Sequence, residues 1–588
     1  MSIERLKAHV LGRIAEASRK AFGQALEGLE IGFPPDLQLG HLAVGCFPLS
    51  KKLRKSPADI AKMLAAAISA DEVIESATAA GPYINFKLAN RVFFGSAIDT
   101  ILAAGDRYGD VPMGRNKRVM VEYLSPNTNK PLHLGHLRNA ALGISVSRLF
   151  EATGHWLVKS ILINDRGVHI CKSMLAWERF GNGATPESVC MKGDHFVGKW
   201  YVRYAVESEK DPSLEQNIQD MLQKWEAGDP QTIALWKKMN QWVYDGFSET
   251  YRRFGMEFDV FYYESDTYKL GRDLIAEGLK KGVFAKDERG NTVYHLPQAQ
   301  FGTEKGGSPK KVTVLRPDGT SLYITQDIGT AILKVTEHNL DSSVYVVGSE
   351  QEHHFKCLFS ILASLDYPWA RNCHHLSYGM VYLPEGKMKS REGKVVDADD
   401  LIAGMVELAE EEIRKRDPEG RLSDAEVKHR AAVIGTGAIK YYLLRVRPTQ
   451  SINFDPVESI SFDGFTGPYC QYAYARIFGI IEKAGERGME GHTADFALLG
   501  NIEELLLLKM LIQFPEEVAS GVAEYNPSRV AVYIFNTARA FNQFYNKHAV
   551  LQAGTNELTA ARLALIKATA VVLKRGLNLL GIDVLENM

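Results

Sequence analysis

Residues 119–152 read VMVEYLSPNTNKPLHLGHLRNAALGISVSRLFEA, and the fold turns on how this stretch is parsed. VMVEYL is rich in strand formers. It meets the loop SPNTNKP, whose Pro126 and Pro131 disfavour helix at the residues before them. Apolar periodicity of helical spacing resumes at Leu132 and runs until Gly154 stops it. The reading is strand, loop, helix, with His133 and His136 in the first helical turn. Residues three apart share a helix face, and a helix N-terminus offers unpaired N–H groups and partial positive charge. Two imidazoles there can bracket a phosphate. Taken alone, HLGH is more often a pair of polar residues finishing a helix start, so the context has to decide.

At 588 residues the chain has room for three or four domains, and an apolar fraction of 45% is that of an ordinary globular protein. No run of about eighteen apolar residues is present to span a bilayer, and the opening MSIERLKAHVLGRIAEASRKAF lacks the apolar centre of an export signal. The expectation is a cytoplasmic protein with no membrane partner. Cys46, Cys171, Cys190, Cys357, Cys373 and Cys470 lie far apart without a CxxC pair, which argues against a disulfide framework and against zinc. They are read as reduced core thiols. In His353-His354 and His374-His375 adjacent side chains point apart, and no cluster of Cys or carboxylates completes a ligand set. Structural or substrate-facing roles are expected for them, and no resident metal. A formal net charge of −2 gives no nucleic-acid footprint. The basic patches at 51–57, 114–118, 305–311 and 445–448 read on composition alone as solvated surface.

Residues 1–110 read as a separate α/β unit. It holds an amphipathic opening helix, the loop FPPDLQLGHLAVG, a helix started by Ser56 as N-cap and Pro57 at the first position, and a short strand PYINFKL. Tyr83 and Phe86 on that strand are read as core. Across 111–404 the strands VMVEYL, VKSILI and SSVYVVG alternate with helical stretches, which predicts a doubly wound parallel sheet. Ligands in such sheets bind beyond the carboxyl ends of the strands, where strand order switches, and this places SPNTNKPLHLGH at the site. A charged helical stretch rich in Trp and Tyr, at about 177–254, reads as an insertion. Residues 405–462 read as a helical linker and 463–588 as a helical bundle, in which Phe541, Phe544 and Tyr545 form a stripe expected to be core.

SPNTNKPLHLGHLRNA resembles the first signature of class I aminoacyl-tRNA synthetases, and Asn127, Lys130 and Pro131 ahead of the histidines resemble the arginyl members. Downstream, KMKSR at Lys387–Arg391 is similar to the KMSKS loop that closes over ATP in that class. GPYCQYAYARI, Gly467–Ile477, resembles the opening of the family's anticodon-binding helical domain. The resemblance covers nearly the whole chain. It implies a Rossmann-like catalytic domain at 111–404, an N-terminal domain at 1–110 that reaches the tRNA elbow, and an anticodon-binding bundle at 463–588. It further implies that L-arginine and ATP form arginyl-adenylate, that this step needs tRNA(Arg), and that arginine then esterifies the terminal ribose. ATP would bring its own Mg²⁺, no zinc is expected, and the chain would act as a monomer.

The same resemblance carries residue roles. His133, His136 and Lys130 are the catalytic candidates. Gly135, Lys387, Met388, Lys389, Ser390 and Arg391 are the ATP-binding candidates. Where the class usually has the catalytic lysine of its second signature, this chain has Ser390, with a lysine one place earlier at Lys389. Arginyl members lacking that lysine are thought to use one before the first signature, here Lys130. A planar guanidinium with five donors needs converging carboxylate, amide and phenol oxygens. Glu122, Asn127, Glu264, Tyr323, Asp327 and Gln351 match the family's arginine-binding positions. Tyr323 and Asp327, four apart, suit one face of a helical turn. Tyr469, Tyr472, Arg476 and the terminal Met588 match positions near the anticodon, although Asn587 replaces the arginine usual before that methionine. Another class I synthetase and a non-catalytic tRNA-binding relative are the rival readings. The number of carboxylates disfavours an acidic substrate, and the intact His133, Gly135, His136 and Lys130 disfavour loss of catalysis.

Overall fold

The computed structural model describes residues 3–25, 28–304, 307–318, 322–384, 396–489 and 491–588. Its centre is a five-stranded, fully parallel sheet in the order His374–Tyr378, Ser342–Gly348, Arg118–Glu122, Trp156–Ile163, Val260–Tyr263. Strand order reverses at Arg118–Glu122, so the chain leaves that strand into the crevice where doubly wound sheets bind ligands. The loop after it is strained: Leu124 and Ser125 have φ of 82° and 40°. What holds this geometry is Asn139, one turn into the following helix. Its Oδ1 accepts from the Leu124 N–H at 2.6 Å and its Nδ2 donates to the Val346 carbonyl at 2.7 Å, which ties the loop to the strand across the switch.

That helix, Leu134–Ala152, is buried on nearly every face, as a helix inside a large protein must be when it lacks a polar side. It seats closely because Gly143 carries no side chain. A Cβ there would lie 2.2 Å from the Tyr123 ring.

Between strands Trp156–Ile163 and Val260–Tyr263 lie helices Val168–Phe180, Gly193–Ser208, Ser213–Glu226 and Pro230–Phe254, the first of which follows its strand after a short turn. Asp165, in that turn, anchors the insertion. Its carboxylate accepts from the Ser265 N–H, the Ser265 hydroxyl and the Tyr244 hydroxyl, and its carbonyl accepts from Trp236 Nε1 at 2.6 Å.

The N-terminal unit is a four-stranded antiparallel sheet, Ile31–Gly32, Leu42–Gly45, Tyr83–Leu88, Ile74–Ala80, covered by helices Ile3–Phe22 and Pro57–Ala67. Ser56 caps the second helix from the expected position. LAVG, read as loop from the sequence, is instead a buried strand inside this sheet. Leu42, Ala43 and Val44 are all buried and Gly45 half-buried, so no alternation reveals the strand. Phe86 is core, whereas Tyr83 is 45% exposed and meets Phe47 edge-on at 5.6 Å.

After the parallel sheet, helices Ala398–Arg416 and Asp424–Leu444 lead into the bundle of Gly467–Glu486, Ile502–Ala523, Ser528–Lys547 and Asn556–Leu579. The bundle's buried ion pair joins Arg562 Nε to Glu504 Oε1 at 2.9 Å, while Glu504 Oε2 accepts the N–H groups of Gly500 and Asn501. Phe541 and Phe544 are core as expected, but Tyr545 is 38% exposed. The cysteine reading also needs amending. All six thiols are free; Cys46, Cys171, Cys357 and Cys470 are buried, Cys373 is half-buried, and Cys190 is exposed at a left-handed turn.

Replacing Gly143 with Val should overpack the junction with Tyr123 and cost about 1–3 kcal/mol. Urea unfolding of the wild type and Gly143→Val would show a lower midpoint at unchanged m-value.

Candidate active site

His133 is the N-cap of helix Leu134–Ala152, one residue before the first turn in which the sequence places it, and His136 is the third helical residue. The two rings form a reciprocal capping box. The Gly135 N–H donates to His133 Nδ1 at 3.2 Å and the His133 N–H donates to His136 Nδ1 at 3.1 Å. Both Nδ1 lone pairs are thereby used, so each neutral ring carries its proton on Nε2 and presents it as a donor. Burial, reinforced by the charge of Lys130, lowers His133 to about 4. Burial also holds His136 well below the usual imidazole range, with His133 and Lys130 adding to it. The ring centroids are 3.9 Å apart. At neutral pH the pair supplies two Nε2–H donors at a helix N-terminus, which is a site for phosphate oxygens. Gly135 is needed for this packing, since a Cβ there would lie 3.0 Å from His133 Cε1. Lys130, exposed, precedes them in the loop. Gly198 of the insertion lets a helix close on the same loop: its Cβ would stand 2.9 Å from Pro131 Cδ.

The segment that follows residues 385–395 is pinned to the same place. Leu134 N–H donates to the Val396 carbonyl at 2.9 Å, and Ala398 N–H to the Leu132 carbonyl at 3.0 Å, making a short antiparallel bridge across His133 and Asp397. Lys387, Met388, Lys389, Ser390 and Arg391 lie outside the described residues. Beside this strap, Lys192 Nζ is 2.7 Å from Asp399, 3.0 Å from Asp194 and 2.6 Å from Thr250 Oγ1, and Arg253 reaches Asp399 at 3.0 Å. Burial works against ionisation of Asp399, yet His195 and Lys192 hold its carboxyl well below the usual range. Asp194, His195 and Asp399 offer ligand atoms within 4.8 Å of one another, but the Lys192 ammonium already serves as their cation.

Across the switch point the carboxylates gather. Glu122 ends the central strand and is buried against Lys334, with which it pairs. Asp327 lies on helix Tyr323–His338, and His354 Nε2 is 2.6 Å from its Oδ2. Glu264 opens the short helix after strand Val260–Tyr263. Burial pushes its carboxyl up to about 7; Arg166 draws it down, while Asp165 and Asp327 push it further up. Burial pushes the Tyr345 hydroxyl up, and the charges of Cys373, Glu122 and Asp327 add to that. Asn127 is exposed in the loop, Tyr323 is 76% exposed at the helix start, and Gln351 is exposed at the N-cap of Glu352–Ser364. All three are open to solvent, in contrast to the buried Glu122. Sequence reading missed Asn139, Lys334 and Asp397, and gave His354 a structural or substrate-facing role without its partner Asp327. The signal for Asn139 and Lys334 was a polar side chain on a helix face otherwise apolar, a position that demands a buried partner.

On the bundle, Tyr469, Tyr472 and Arg476 share a face of Gly467–Glu486, each half-buried. Arg476 donates to Asn542 Oδ1 at 2.7 Å and lies over Tyr472 and Tyr545 at 4.8 and 5.7 Å; Asn542 in turn donates to the Tyr469 hydroxyl. Met588 is half-buried against the core.

Two imidazole N–H donors at a helix N-terminus, on the loop that leaves the switch-point strand, suit chemistry at a nucleotide phosphate. Together with the fold, they define a class I aminoacyl-tRNA synthetase. Residues 97–455 match the family described as tRNA synthetases class I (R), catalytic domain, residues 470–588 the DALR anticodon binding domain, and residues 4–88 the arginyl tRNA synthetase N terminal domain. The arginine–tRNA ligase of Treponema denticola is 44% identical over 96% of this chain and 95% of its own, and that of Treponema pallidum 40% identical over 99% and 98%. The Thermus thermophilus arginyl-tRNA synthetase superposes with a TM-score of 0.79 at 26% identity, covering 99% of this chain and 100% of that one. The chain belongs to the arginyl-tRNA synthetase family and charges tRNA(Arg) with arginine.

The lowered His133 has a consequence for stability. Below about pH 6.5 the unfolded chain takes up a proton that folded His133 refuses until about pH 4, so stability falls as pH drops through that window. His133→Asn keeps a capping oxygen but does not titrate. The stability difference, wild type minus variant, should therefore decline from pH 6.5 to 4 in urea melts and stay constant above 7.

Proposed function

We propose that arginine binds beyond the Glu122 strand with its guanidinium toward Asp327 and Tyr323 and its α-amino group toward Glu122 and Glu264, with Asn127 and Gln351 closing the mouth. The observation that supports this reading is the buried Glu122 at the carboxyl end of the switch-point strand, on the chain segment that leads into the two histidines, with Asp327 on the helix whose Lys334 pairs with it. The α-carboxylate then attacks the α-phosphate of ATP and pyrophosphate leaves. His133 and His136 donate Nε2–H to phosphate oxygens as charge redistributes, and Gly135 admits the adenine to the backbone. Mg²⁺ enters with ATP. Lys130 supplies the ammonium that the second signature lacks at Ser390, with Lys387, Met388, Lys389 and Arg391 assisting from the closing loop. One such charge-assisted contact is worth roughly 1.5–3 kcal/mol.

The exposed Tyr83 and Phe47, beside the exposed Lys51, Lys52 and Arg54, support tRNA elbow binding by residues 1–110. The Tyr469, Tyr472 and Arg476 face, joined by Tyr545 and ending near Met588, is a stacking platform for anticodon bases in the bundle at 463–588. The catalytic domain at 111–404, its insertion at about 177–254 and the linker at 405–462 join the two ends. Activation needs tRNA to be bound, because both flanking units must engage it while the strap at 396–398 sets the signature helix. In keeping with the family resemblance, the chain acts as a monomer in the cytoplasm, where tRNA is charged for translation.

Arginine-dependent ATP/pyrophosphate exchange, run with and without tRNA and with other amino acids as controls, should respond to arginine alone and only with tRNA. Exchange at full rate without tRNA would overturn the dependence. Asp327→Asn should raise KM for arginine roughly 10- to 150-fold with ATP binding intact. Lys130→Ala should slow exchange more than Lys389→Ala; the reverse order would return the catalytic role to the second signature.

A further inference from the structure

The recess read as the arginine pocket contains a cation of its own. Lys334 sits two turns beyond Asp327 on the same face of helix Tyr323–His338. Its ammonium pairs with Glu122 Oε2, and the two side chains are only 2% and 8% exposed. The rings of Tyr262 and Tyr345 stand over it, with centroids 5.0 and 5.9 Å away. Tyr262 is fixed in turn by Glu337 Oε2 at 2.9 Å and His338 Nε2 at 3.1 Å. Glu122, Lys334, Tyr262 and Tyr345 are therefore one contiguous set, with Asp327 two turns back on the Lys334 helix.

A buried ion pair is a poor way to gain stability, since hydrophobic residues of similar volume often do as well or better. Its charge count is more informative. Arginine carries a guanidinium, an ammonium and a carboxylate, so it enters as a net monocation. Glu122 and Asp327 alone would present two negative charges and would suit a dication. With Lys334 the trio carries one. Of the remaining charges nearby, Glu337 is on the same helix but is engaged by the Tyr262 hydroxyl; Glu264, on which Arg166 and Asp327 act, and His354, paired with Asp327, sit on other elements.

We propose that Lys334 is a specificity-determining residue of the arginine pocket. Its buried ammonium occupies one oxygen of Glu122, leaves the other for the ligand's amino group, and matches the recess to an amino-acid monocation. Carboxylate-free dications are thereby rejected. The sharpest case is agmatine, which is arginine without its carboxylate: it keeps both cationic ends, lacks the nucleophile, and would block the site without reacting. This inference rests on the pocket reading above. A unit charge a few ångströms away, at the effective dielectric of such sites, changes affinity by tenfold or more.

The test compares the ratio of Ki for agmatine to KM for arginine in tRNA-supported ATP/pyrophosphate exchange. Lys334→Met should lower that ratio at least tenfold, and Lys334→Arg should keep it within about threefold of wild type. The double variant Glu122→Gln with Lys334→Met removes one charge of each sign and should return the ratio toward wild type even though KM rises. A purely structural lysine would not show that restoration. Lys334→Gln is a second uncharged variant and is read in the same way should the methionine form not fold. An unchanged ratio in a folded uncharged variant, or a double variant that tracks Lys334→Met, overturns the proposal. Asp327→Asn serves as the control on the pocket: if it leaves KM for arginine unchanged, the pocket reading fails and takes the inference with it; if KM rises while the Lys334 variants do nothing, only the inference fails.

Discussion

The reciprocal cap between His133 and His136 is the constraint on which the rest of the site depends. A helix N-terminus leaves backbone N–H groups without partners, and here two of them are satisfied by imidazole Nδ1 atoms rather than by Ser, Asp or Asn side chains. The exchange has a chemical result. Using Nδ1 as the acceptor fixes the tautomer, and the fixed tautomer turns each Nε2 into a donor. Burial and Lys130 keep the rings neutral, so the donors hold at physiological pH without carrying charge that would bind phosphate equally well before and after reaction. Helix start, tautomer and phosphate contact are one arrangement.

This arrangement needs support from far along the chain, and the structure supplies it in layers. Asn139 holds the strained Leu124–Ser125 turn to the neighbouring strand. The Val396–Ala398 strap pairs with Leu132–Leu134 by backbone hydrogen bonds, so the segment leaving the second signature is stitched to the first. Lys192, Thr250 and Arg253 of the insertion in turn grip Asp399, in the first turn after the strap. A change in the insertion can thus reach His133 through packed and hydrogen-bonded groups, without touching a substrate.

Much of this was legible in the sequence because it follows from local rules. Proline-bounded loops, apolar periodicity and the Ser56-Pro57 start gave the elements, and the alternation of strands with helices gave the parallel sheet. The strand Leu42–Gly45 escaped because a short strand buried on both faces has no alternation. His133 fell one residue from its expected position because a histidine cap does not read as a cap. Lys334 and Asp397, and the partner of His354, were invisible for a different reason: each acts with a group distant in sequence, Glu122, the Leu132–Leu134 backbone and Asp327. Such pairings exist only once the chain is folded. That Asn127, Tyr323 and Gln351 are exposed while Glu122 is buried required coordinates.

The account stands or falls on the protonation of two rings. Nitrogen-15 NMR of histidine-labelled protein at pH 7, with His133→Asn and His136→Asn used to assign the signals, reads the tautomer directly. Both rings should be neutral and protonated at Nε2, with no titration down to about pH 5. A proton on Nδ1, or a doubly protonated ring at neutral pH, would contradict the cap and the phosphate-donor role derived from it.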